Sequence, residues 1–396
     1  MVVPIKALYG TWRQEAKKWN DFNHLSFTIL HGKDKESNLN ADVDIYLINP
    51  EGLQWLFGQV ARPEWDILCI DESTKFKNSN SKRSKLLQKH YDDFYYRWIL
   101  TGTITPNGLE DLFGQVRIMD QGHSLGRYIT HFRNKYFYST GFGGYTYKPM
   151  EGATETVTEK IAHMVLKLDA EDHLDMPDFI KIIRPVTLPE AAMATYKEVE
   201  KEFITAVNNH TIVAGNAAAA GTKCRQIANG MVYDEDHVAH RVHCAKMEAL
   251  EEIKEETNGN PLLVMYEFQH DIDSIKKVLG KDAICITGMS GVKFEKVQDD
   301  FNAGRIPYLI AHGGNVHGLN IQGSCHHMVW YGVTWNLEDF IQSVWRLYRQ
   351  GQRAKMVLCY MLVATGTLDE RVVKVLEHKE ATQTNIEDLL MSYGSN

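Results

Sequence analysis

The first third of the chain alternates short apolar runs with stretches of helical periodicity. Runs of this length, bounded by polar or turn residues, are typical of buried strands in a parallel sheet. The stretch from Ala7 to Trp19 has the pattern of a crossover helix. The apolar runs are SFTIL at 26–30, DVDIYLI at 42–48, WDILCI at 65–70 and YRWIL at 96–100. The pattern predicts an α/β layer architecture.

A second series of apolar runs begins near residue 261, after a region of different character. Residues 122–178 are rich in aromatic and basic side chains, and residues 189–229 have helical patterns, so both stretches are expected to lie outside a sheet. The later runs are PLLVMYEF at 261–268, AICIT at 283–287, PYLIA at 307–311, HHMVWYG at 326–332 and KMVLCYML at 355–362. We therefore predict two parallel-sheet lobes, over 1–121 and 245–396, with helical insertions and a linker over 122–244.

The composition narrows the class of protein. The 396 residues are 44% hydrophobic and carry a formal net charge of -8, which excludes a disordered or collagen-like chain. The six cysteines are scattered without a CxxC pair, which favours a reducing compartment over a disulfide framework. No apolar run approaches the roughly 18 residues that span a bilayer, so we expect a cytoplasmic protein without a membrane partner.

Two adjacent acids follow the third apolar run. Asp71 and Glu72 stand at the carboxyl end of the predicted strand, where open α/β sheets place their ligands. One carboxylate can hold Mg²⁺ while its neighbour orients an attacking water, as in phosphoryl transfer. The alternative is that the two acids only open a solvated loop.

A polar turn follows the fourth run. It contains Thr101, Gly102 and Thr103, and it is expected at the same edge of the sheet as the two acids. Its hydroxyl groups and the proline-stiffened turn could sense a γ-phosphate and relay its loss. An ordinary strand-exit turn is the alternative.

The segment NLEDFIQSVWRLYRQ predicts a helix over Asn336–Gln350 that stops at Gly351. An apolar stripe of Ile341, Val344, Trp345 and Tyr348 is expected to be buried. A second, polar face carries Gln342, Arg346 and Arg349, and such paired guanidinium groups could stabilise charge on a leaving phosphate. A solvated surface helix would show the same pattern.

Two further features suit phosphate groups. The glycine-rich turn around Gly318 follows a predicted strand, and its amides could approach phosphate, although it lacks a Lys-Ser/Thr ending. A basic run that includes Lys82, Arg83 and Lys85 follows the acids. Basic residues are also interleaved with aromatic ones over 127–137, a mixture that suits nucleic-acid backbones and bases. The alternative for both basic segments is a solvated face.

Taken in order, these segments resemble the motor of superfamily two helicases, most closely the Swi/Snf-type DNA translocase ATPases, including bacteriophage-encoded members. The resemblance covers nearly the whole chain, and QSVWRLYRQGQ is highly specific in this context. The matching segments of the first part are Val2-Val3-Pro4 with Thr11-Trp12 and Glu15 (motif Ia), Asn49-Pro50-Glu51-Gly52 (the next DNA-side motif), Asp71-Glu72-Ser73-Thr74 (the DExx box) and Thr101-Gly102-Thr103 with Pro106-Asn107 (motif III). Those of the second part are Leu263-Val264 to Gln269 (motif IV), Gly318-Leu319-Asn320 with Trp335-Asn336 (motif V) and Gln342 to Gln352 (motif VI).

This resemblance implies an α/β fold of two RecA-like lobes that uses ATP and Mg²⁺ and binds double-stranded DNA without sequence preference. It implies that Asp71 and Glu72 handle magnesium and water and that Arg346 and Arg349 are arginine fingers. A phage-encoded member would act in the host cytoplasm. The ATP-binding and coupling residues would be Thr101, Gly102, Thr103, Gly318 and Gln342, and the DNA-binding residues Pro4, Trp12, Asn49, Lys82, Arg83, Lys85, Gln269 and Trp335.

One element of such motors is absent from the sequence. No segment has the form Gly-x-x-x-x-Gly-Lys-Ser/Thr, the loop that holds nucleotide phosphates. We therefore expect a first lobe that is incomplete at its N-terminus, with an exposed apolar edge on its sheet. The preferred hypothesis is an ATP-driven DNA translocase. The alternatives are a non-hydrolysing DNA-binding or interaction protein with the motor fold, and a split motor whose phosphate loop comes from a partner chain.

Overall fold

The computed structural model describes residues 1–60, 65–140, 146–168, 173–208, 214–289, 291–316 and 319–394. The chain divides into two compact units, one formed by Met1–Lys167 with Lys379–Asn396 and the other by Leu168–His378. The domain boundaries predicted from the sequence, at 121/122 and 244/245, stay a prediction.

The first unit contains two kinds of sheet. Its strands are β1 Phe27–Ile29, β2 Ile45–Leu47, β3 Ile67–Asp71, β4 Tyr96–Leu100, β5 Phe137–Thr140 and β6 Thr146–Pro149. Its helices are α1 Thr11–Ala16, α2 Lys35–Leu39, α3 Leu53–Gln59, α4 Lys82–Lys89, α5 Asp111–Asp120, α6 Ile129–Tyr136 and α7 Ala153–Ile161. Strands β1 to β4 begin within the four predicted runs, so those predictions are confirmed. The crossover helix is shorter than predicted, because a 3-10 turn over Ile5–Ala7 precedes α1.

The segment around Val2 joins the parallel strands of the first unit. Strands β1 and β2 pair in parallel, as do β3 and β4. Val2 forms parallel bridges to Ile48 on one side and to Ile70 on the other, and its amide donates to the Cys69 carbonyl at 2.7 Å. The spatial order is therefore β1, β2, the Val2 segment, β3 and β4, with β4 at the edge.

The two faces of this sheet differ in how they are covered near β3 and β4. Leu68 and Ile70 of β3 lie in a core cluster with Phe76 and Leu87. On β4, Tyr96, Trp98 and Leu100 are 60%, 54% and 40% exposed. The alternation puts these three residues on one face, because successive strand residues point to opposite sides. The predicted exposed apolar edge on the first sheet is confirmed.

A second cluster in the first unit surrounds α5, α6 and α7. It contains Phe113, Phe132, Tyr136, Phe137 and Val157. The antiparallel hairpin of β5 and β6 adjoins it. Three aromatic residues from the mixed aromatic and basic segment are therefore core residues, and the prediction that this whole segment suits nucleic acid is wrong for Phe132, Tyr136 and Phe137.

The second unit is built on one six-stranded sheet with the order β11-β12-β10-β13-β14-β7, in which every pair is parallel. Its strands are β7 Asp178–Val186, β8 Met231–Tyr233, β9 Ala239–Arg241, β10 Leu262–Tyr266, β11 Ala283–Cys285, β12 Tyr308–His312, β13 His327–Trp330 and β14 Met356–Ala364. Its helices are α8 Glu190–Asn208, α9 Ala214–Ala228, α10 Ala245–Glu256, α11 Asp271–Leu279, α12 Gly291–Asn302 and α13 Leu337–Val344, with α14 Leu368–Gly394 continuing into the first unit.

Alternate residues of the central strand β10 enter two different cores. Leu263 and Met265 belong to a cluster with residues of α12, α13 and α14, whereas Leu262 and Val264 belong to a cluster with residues of α10 and α11. All of β10 is buried, as the continuous apolar run indicates. The five predicted strands of this sheet are confirmed. Edge strand β7 was missed, because it lies in the stretch predicted to be an insertion.

Among the residues that the structure describes, no helix combines the length and apolar character needed to cross a membrane.

Candidate functional site

The acidic pair lies at the carboxyl end of β3. The Asp71 amide donates to the Val2 carbonyl at 2.8 Å, which fixes the backbone, and the indole Nε1 of Trp12 donates to Asp71 Oδ2 at 3.3 Å. Burial raises the pKa of the Asp71 carboxyl, while the Trp12 hydrogen bond and the Glu72 backbone act in the opposite direction. A carboxylate held in partly buried surroundings gains from a nearby cation, so the site suits a hard metal ion such as Mg²⁺.

Glu72 turns the chain sharply after the strand. Its φ is 55° and its ψ is 58°, a left-handed conformation that is uncommon for residues other than glycine. A 3-10 turn over Ser73–Phe76 follows, and the Lys75 amide donates to the Glu72 carbonyl at 3.1 Å. Such strained conformations are frequent in functional sites. We use "acid turn" for residues 71–76.

The polar turn over residues 101–107, called the threonine turn below, has its own internal hydrogen bonds. The Thr101 hydroxyl donates to the Thr103 carbonyl at 2.8 Å and accepts from the Thr103 amide at 3.1 Å. Thr103 is 1% exposed, and a Cβ at Gly102 would meet no atom within 4 Å. Of the three residues predicted to respond to the nucleotide, Gly102 therefore has open space beside it and Thr103 is buried.

Helix α5 connects the two turns through a side chain that the sequence analysis did not select. The Ser73 hydroxyl donates to Gln115 Oε1 at 2.6 Å, and Gln115 Nε2 donates to the Ile104 carbonyl at 2.8 Å. Gln115 is 2% exposed. The sequence offers one signal for this role: Gln115 is a polar residue in the otherwise apolar segment LFGQV, and a buried amide needs specific hydrogen-bond partners.

The preceding residue lets α5 approach the acid turn. A Cβ at Gly114 would lie 2.5 Å from the carbonyl carbon of Lys77 and 2.7 Å from the Phe76 carbonyl oxygen. These are backbone atoms, so the clash cannot be relieved by a side-chain rotation.

We expect Gly114→Ala to destabilise the chain by about 1–3 kcal/mol, the usual effect of overpacking. The measurement is urea unfolding. Gly58→Ala is the matched control, because Gly58 lies in α3 and its Cβ would meet nothing within 4 Å. That variant should be stabilised by about 0.5–1 kcal/mol through helix propensity. Equal effects of the two substitutions would contradict the close approach.

The predicted DNA-binding residues near the start of the chain are mostly engaged internally. Pro4 is buried before the 3-10 turn over Ile5–Ala7. Trp12 is half-buried and donates to Asp71, and Asn49 is 6% exposed and donates to Glu51 Oε2 at 2.8 Å. Trp12 therefore belongs to the surroundings of the acid pair.

The basic run is placed on α4. Ser81 caps this helix by accepting from the Ser84 amide at 3.2 Å, and Leu87 is buried in the core. Lys82 and Lys85 are exposed, whereas Arg83 is half-buried, with Nη1 3.6 Å from a carboxylate oxygen of Glu51. Lys82 and Lys85 project into solvent from the surface opposite the buried side of the helix.

The arginine pair of the second unit lies just beyond α13. Asn336 caps this helix by accepting from the Glu338 amide at 3.1 Å, but the helix ends at Val344 instead of near Gln350, where it was predicted to end. Arg346 Nε donates to the Gln342 carbonyl at 2.9 Å and Nη1 to the Leu319 carbonyl at 3.3 Å. The predicted burial of Trp345 is wrong, since its side chain is 38% exposed where the helix has already ended.

The remaining predicted residues of the second unit fall into different surroundings. Gln342 is 7% exposed, Trp335 is half-buried, and Gln269 is exposed. Gly318 lies outside the described residues. Arg349 is half-buried in the turn that follows α13.

An arginine from α9 holds the loops that carry Gln269 and Trp335. Arg225 Nη2 donates to Glu267 Oε1 at 2.9 Å and to the Val333 carbonyl at 2.7 Å. Its guanidinium carbon lies 5.8 Å from the Trp335 ring centroid. Burial raises the pKa of Glu267, and Arg225 opposes that shift. The role of Arg225 could not be predicted from the sequence, because its partners come from distant segments.

A buried lysine connects several segments that surround the loop before Gln269. Lys246 is fully buried, and its Nζ donates to Asp369 Oδ2 at 2.6 Å and to Asn229 Oδ1 at 2.8 Å. Asn229 in turn donates to Asp271, which accepts from the Phe268 amide at 2.9 Å. This network fixes the loop before Gln269, because a buried ion pair loses much free energy when either partner is displaced.

Comparisons with known proteins match both parts of the chain. The SNF2-related domain family matches residues 1–242, and the helicase conserved C-terminal domain family matches residues 245–351. The chain is 32% identical over 410 aligned residues to protein p41 of Acyrthosiphon pisum secondary endosymbiont phage 1, covering 99% of this chain and 87% of that protein.

More distant relatives are larger. The chromatin remodeling factor mit1 of Schizosaccharomyces pombe is 21% identical, with 96% of this chain and 29% of that protein covered. The CHD3-type chromatin-remodeling factor PICKLE of Arabidopsis thaliana is 24% identical, with coverages of 92% and 28%. The chain thus spans under a third of either remodelling factor.

A solved structure, the Sulfolobus solfataricus SWI2/SNF2 ATPase core in complex with dsDNA, is 22% identical and has a TM-score of 0.42, with 97% of this chain and 81% of that chain covered.

The parallel sheets and the two family matches define the class: a helicase-type fold of superfamily two with two RecA-like lobes. The chain belongs to the SNF2-related family, and it is similar to a phage-encoded protein over nearly its whole length. The resemblance stated from the motifs is confirmed.

Proposed function

We propose that the chain is an ATP-dependent motor that moves along double-stranded DNA without sequence preference. The observation that carries this proposal is the acid turn at the carboxyl end of β3, joined by Gln115 to the threonine turn, in a chain of the SNF2-related family. Motors of this kind need a hydrolytic centre that is mechanically connected to other loops.

In the first unit, Asp71 would hold Mg²⁺ and Glu72 would orient the attacking water. The Asp71 carboxylate fits an ion, because it is half-buried and the side chain that donates a hydrogen bond to its Oδ2 is a neutral indole. Bound Mg²⁺ would neutralise charge on the phosphate oxygens. Glu72 would hold the water for attack and accept its proton, and Thr101 and Thr103 would respond to the loss of the γ-phosphate.

In the second unit, Arg346 and Arg349 would stabilise negative charge that develops on the transferred phosphate. The hydrogen bonds of Arg346 to the Gln342 and Leu319 carbonyls restrict its guanidinium group. A restricted donor loses less conformational entropy during the reaction. Gln342 and the segment around Gly318 would couple this group to nucleotide binding.

The nucleotide phosphates also need donors that this sequence does not contain in the usual loop form. We propose that a further segment supplies them, either elsewhere in a longer polypeptide or in a separate chain. The uncovered sheet face supports this second proposal: a cavity of about 790 Å³ lies there, lined by residues that include Trp12, Trp19, Phe22, Trp98 and Leu100. A parallel sheet is normally covered on both faces.

DNA binding would involve Lys82 and Lys85 on α4, with Gln269 and Trp335 in the second unit. We expect the triple variant Lys82→Gln, Arg83→Gln, Lys85→Gln to bind duplex DNA more weakly. The slope of log affinity against log salt should fall by about 2–3, because each phosphate contact contributes about 0.9. Fluorescence anisotropy at several salt concentrations measures both quantities.

The control for this variant is Lys276→Gln, Lys277→Gln, Lys281→Gln, which removes the same charge from exposed positions of the second unit. It should keep the slope of the parent chain. If both triple variants lower the slope equally, the effect is one of net charge, and α4 is not a DNA contact.

A non-hydrolysing DNA-binding protein is the other candidate, favoured by the absence of the phosphate loop from the sequence. The two functions differ in one measurement, ATP hydrolysis with and without duplex DNA. If the chain is a motor, duplex DNA should increase its rate of ATP hydrolysis. Its KM for ATP should be high when the chain is tested by itself. DNA affinity without any hydrolysis would favour the binding protein.

A further inference from the structure

We propose that Gln115 is a positioning residue that transmits movement between the acid turn and the threonine turn. The inference rests on the proposed function for its purpose, since it concerns how hydrolysis at Asp71 and Glu72 reaches the rest of the first unit. The contacts that carry it lie entirely within that unit.

The amide of Gln115 uses its two ends for the two turns. Its oxygen accepts from Ser73, the residue directly after Glu72, and its nitrogen donates to the carbonyl of Ile104, the residue directly after Thr103. The nitrogen also donates to the Asp111 carbonyl one turn earlier in α5, at 2.9 Å. The side chain is therefore fixed at three points and is 2% exposed.

The surroundings leave the amide little freedom. Ser73 is fully buried, so a broken hydrogen bond to Gln115 could not be replaced by one to bulk water. Helix α5 cannot move closer to this segment, because Gly114 already brings it into contact with the Phe76 and Lys77 carbonyl groups. A shift of the acid turn must then move Gln115 or break its hydrogen bonds.

A second contact of the same helix acts in parallel. Asp111 Oδ2 accepts from the Asn107 amide at 2.8 Å in the threonine turn, and it lies 3.7 Å from Lys77 Nζ, just beyond the acid turn. Burial raises the pKa of Asp111, and Lys77 opposes that shift. Asp111 therefore contacts the threonine turn and a lysine next to the acid turn, whereas Gln115 contacts both turns themselves through a buried neutral group.

Glutamine is specifically required by this arrangement. A glutamate would place a second acceptor against the Ile104 carbonyl, and a methionine of similar length would make neither hydrogen bond. Gln115→Met therefore keeps the volume of the side chain and removes the connection. Ser73→Ala removes only the half of the connection that reaches the acid turn.

The first experiment needs no nucleotide. Amide hydrogen exchange of residues 101–107 is measured in the full chain for the parent, Ser73→Ala, Gln115→Met and the double variant. We expect each single variant to increase exchange in this segment several-fold, and the double variant to equal Gln115→Met. Gln226→Met, which removes a buried amide in the second unit, should leave the segment unchanged.

Two results would overturn the inference. One is that Ser73→Ala increases exchange of residues 101–107 by the same factor in the parent chain and in Gln115→Met, because the acid turn would then affect the threonine turn by another route. The other is exchange in residues 101–107 that does not respond to Gln115→Met. If Gln115→Met fails to fold, Ser73→Ala decides the question by itself: unchanged exchange of residues 101–107 in Ser73→Ala would overturn the inference.

The second experiment measures DNA-stimulated ATP hydrolysis. Gln115→Met should lower kcat about 10-fold and leave the KM for ATP and the DNA affinity within about twofold, since the residue contacts neither ligand and acts through the turns. A rise in KM with unchanged kcat would contradict a positioning role. Absence of hydrolysis in the parent chain would refute the proposed function for this polypeptide by itself, and the exchange experiment would still test the coupling.

Discussion

Replacing Glu72 with glutamine is expected to reduce DNA-stimulated ATP hydrolysis by about 100-fold to 10,000-fold, the usual contribution of a positioned general base. The amide keeps the size of the side chain but cannot accept a proton from water or carry the negative charge that orients it. Glutamine can adopt the left-handed backbone of this position about as well as glutamate, so the unfolding free energy should change little. Steady-state kinetics and duplex DNA anisotropy are the measurements.

The control for Glu72→Gln is Glu36→Gln, which removes an exposed carboxylate of α2 in the same unit. Its hydrolysis rate should match that of the parent, and both variants should bind DNA with parental affinity. A parent chain no faster than Glu72→Gln would show that these two acids only open a solvated loop in this polypeptide, which is the alternative left open by the sequence.

Replacing Arg349 with alanine is expected to lower kcat by at least about 100-fold while the KM for ATP changes little. An arginine finger acts on charge that develops during phosphoryl transfer, so its loss is felt in the rate and not in ground-state binding. Arg349→Lys should recover little of the rate, because a lysine ammonium cannot form the forked pair of hydrogen bonds that a guanidinium group makes to phosphate oxygens.

Arg353→Ala is the matched control, four residues further along and exposed. It should leave kcat unchanged. Arg346→Ala provides a second comparison with a different expectation, because this guanidinium group also holds the Gln342 and Leu319 carbonyls. Its loss should lower thermal stability as well as kcat. Equal kcat values for Arg349→Ala and Arg353→Ala would remove Arg349 from the proposed mechanism.

The catalytic groups and the connections between turns make separate contributions to this proposal. Glu72→Gln and Arg349→Ala test the chemical step, and the Gln115 experiments test how one turn reaches another. The two sets of experiments can disagree. If Glu72→Gln and Arg349→Ala do not change ATP hydrolysis but the exchange experiment gives the expected result, the chain would have the connection between the turns without the hydrolysis of a motor. That outcome would direct attention to the missing phosphate loop and to the uncovered face next to Trp98.

Much of the fold could be predicted from local patterns. Strands β1 to β4 and the five later strands begin within apolar runs, because strands of a parallel sheet that pack into a core carry several apolar residues in succession. Strand β7 could not be found this way. It is an edge strand whose residues are mostly half-exposed, so its apolar residues are interrupted by charged ones such as Lys181 and Arg184.

The site was predictable to a lesser degree. The positions of Asp71, Glu72 and the threonine turn follow from the ends of β3 and β4, since parallel strands bring their carboxyl ends to the same edge. Helix α13 was predicted to end six residues too late, at Gln350 instead of Val344, because its apolar spacing continues after the backbone has changed to turns. Trp345 is exposed for that reason.

The sequence by itself determined the family, strands β1 to β4 and β10 to β14, and the choice of acids and arginines as candidate site residues, because these depend on residue types at short spacing. Only the tertiary structure decided that Trp12 contacts Asp71, that Asn49 is buried beside Glu51, and that Gln115 and Arg225 each hold two loops. These contacts join residues 42 or 59 positions apart or depend on burial by other segments. The direction of a side chain towards a distant partner is set by packing, which leaves no local pattern in the chain.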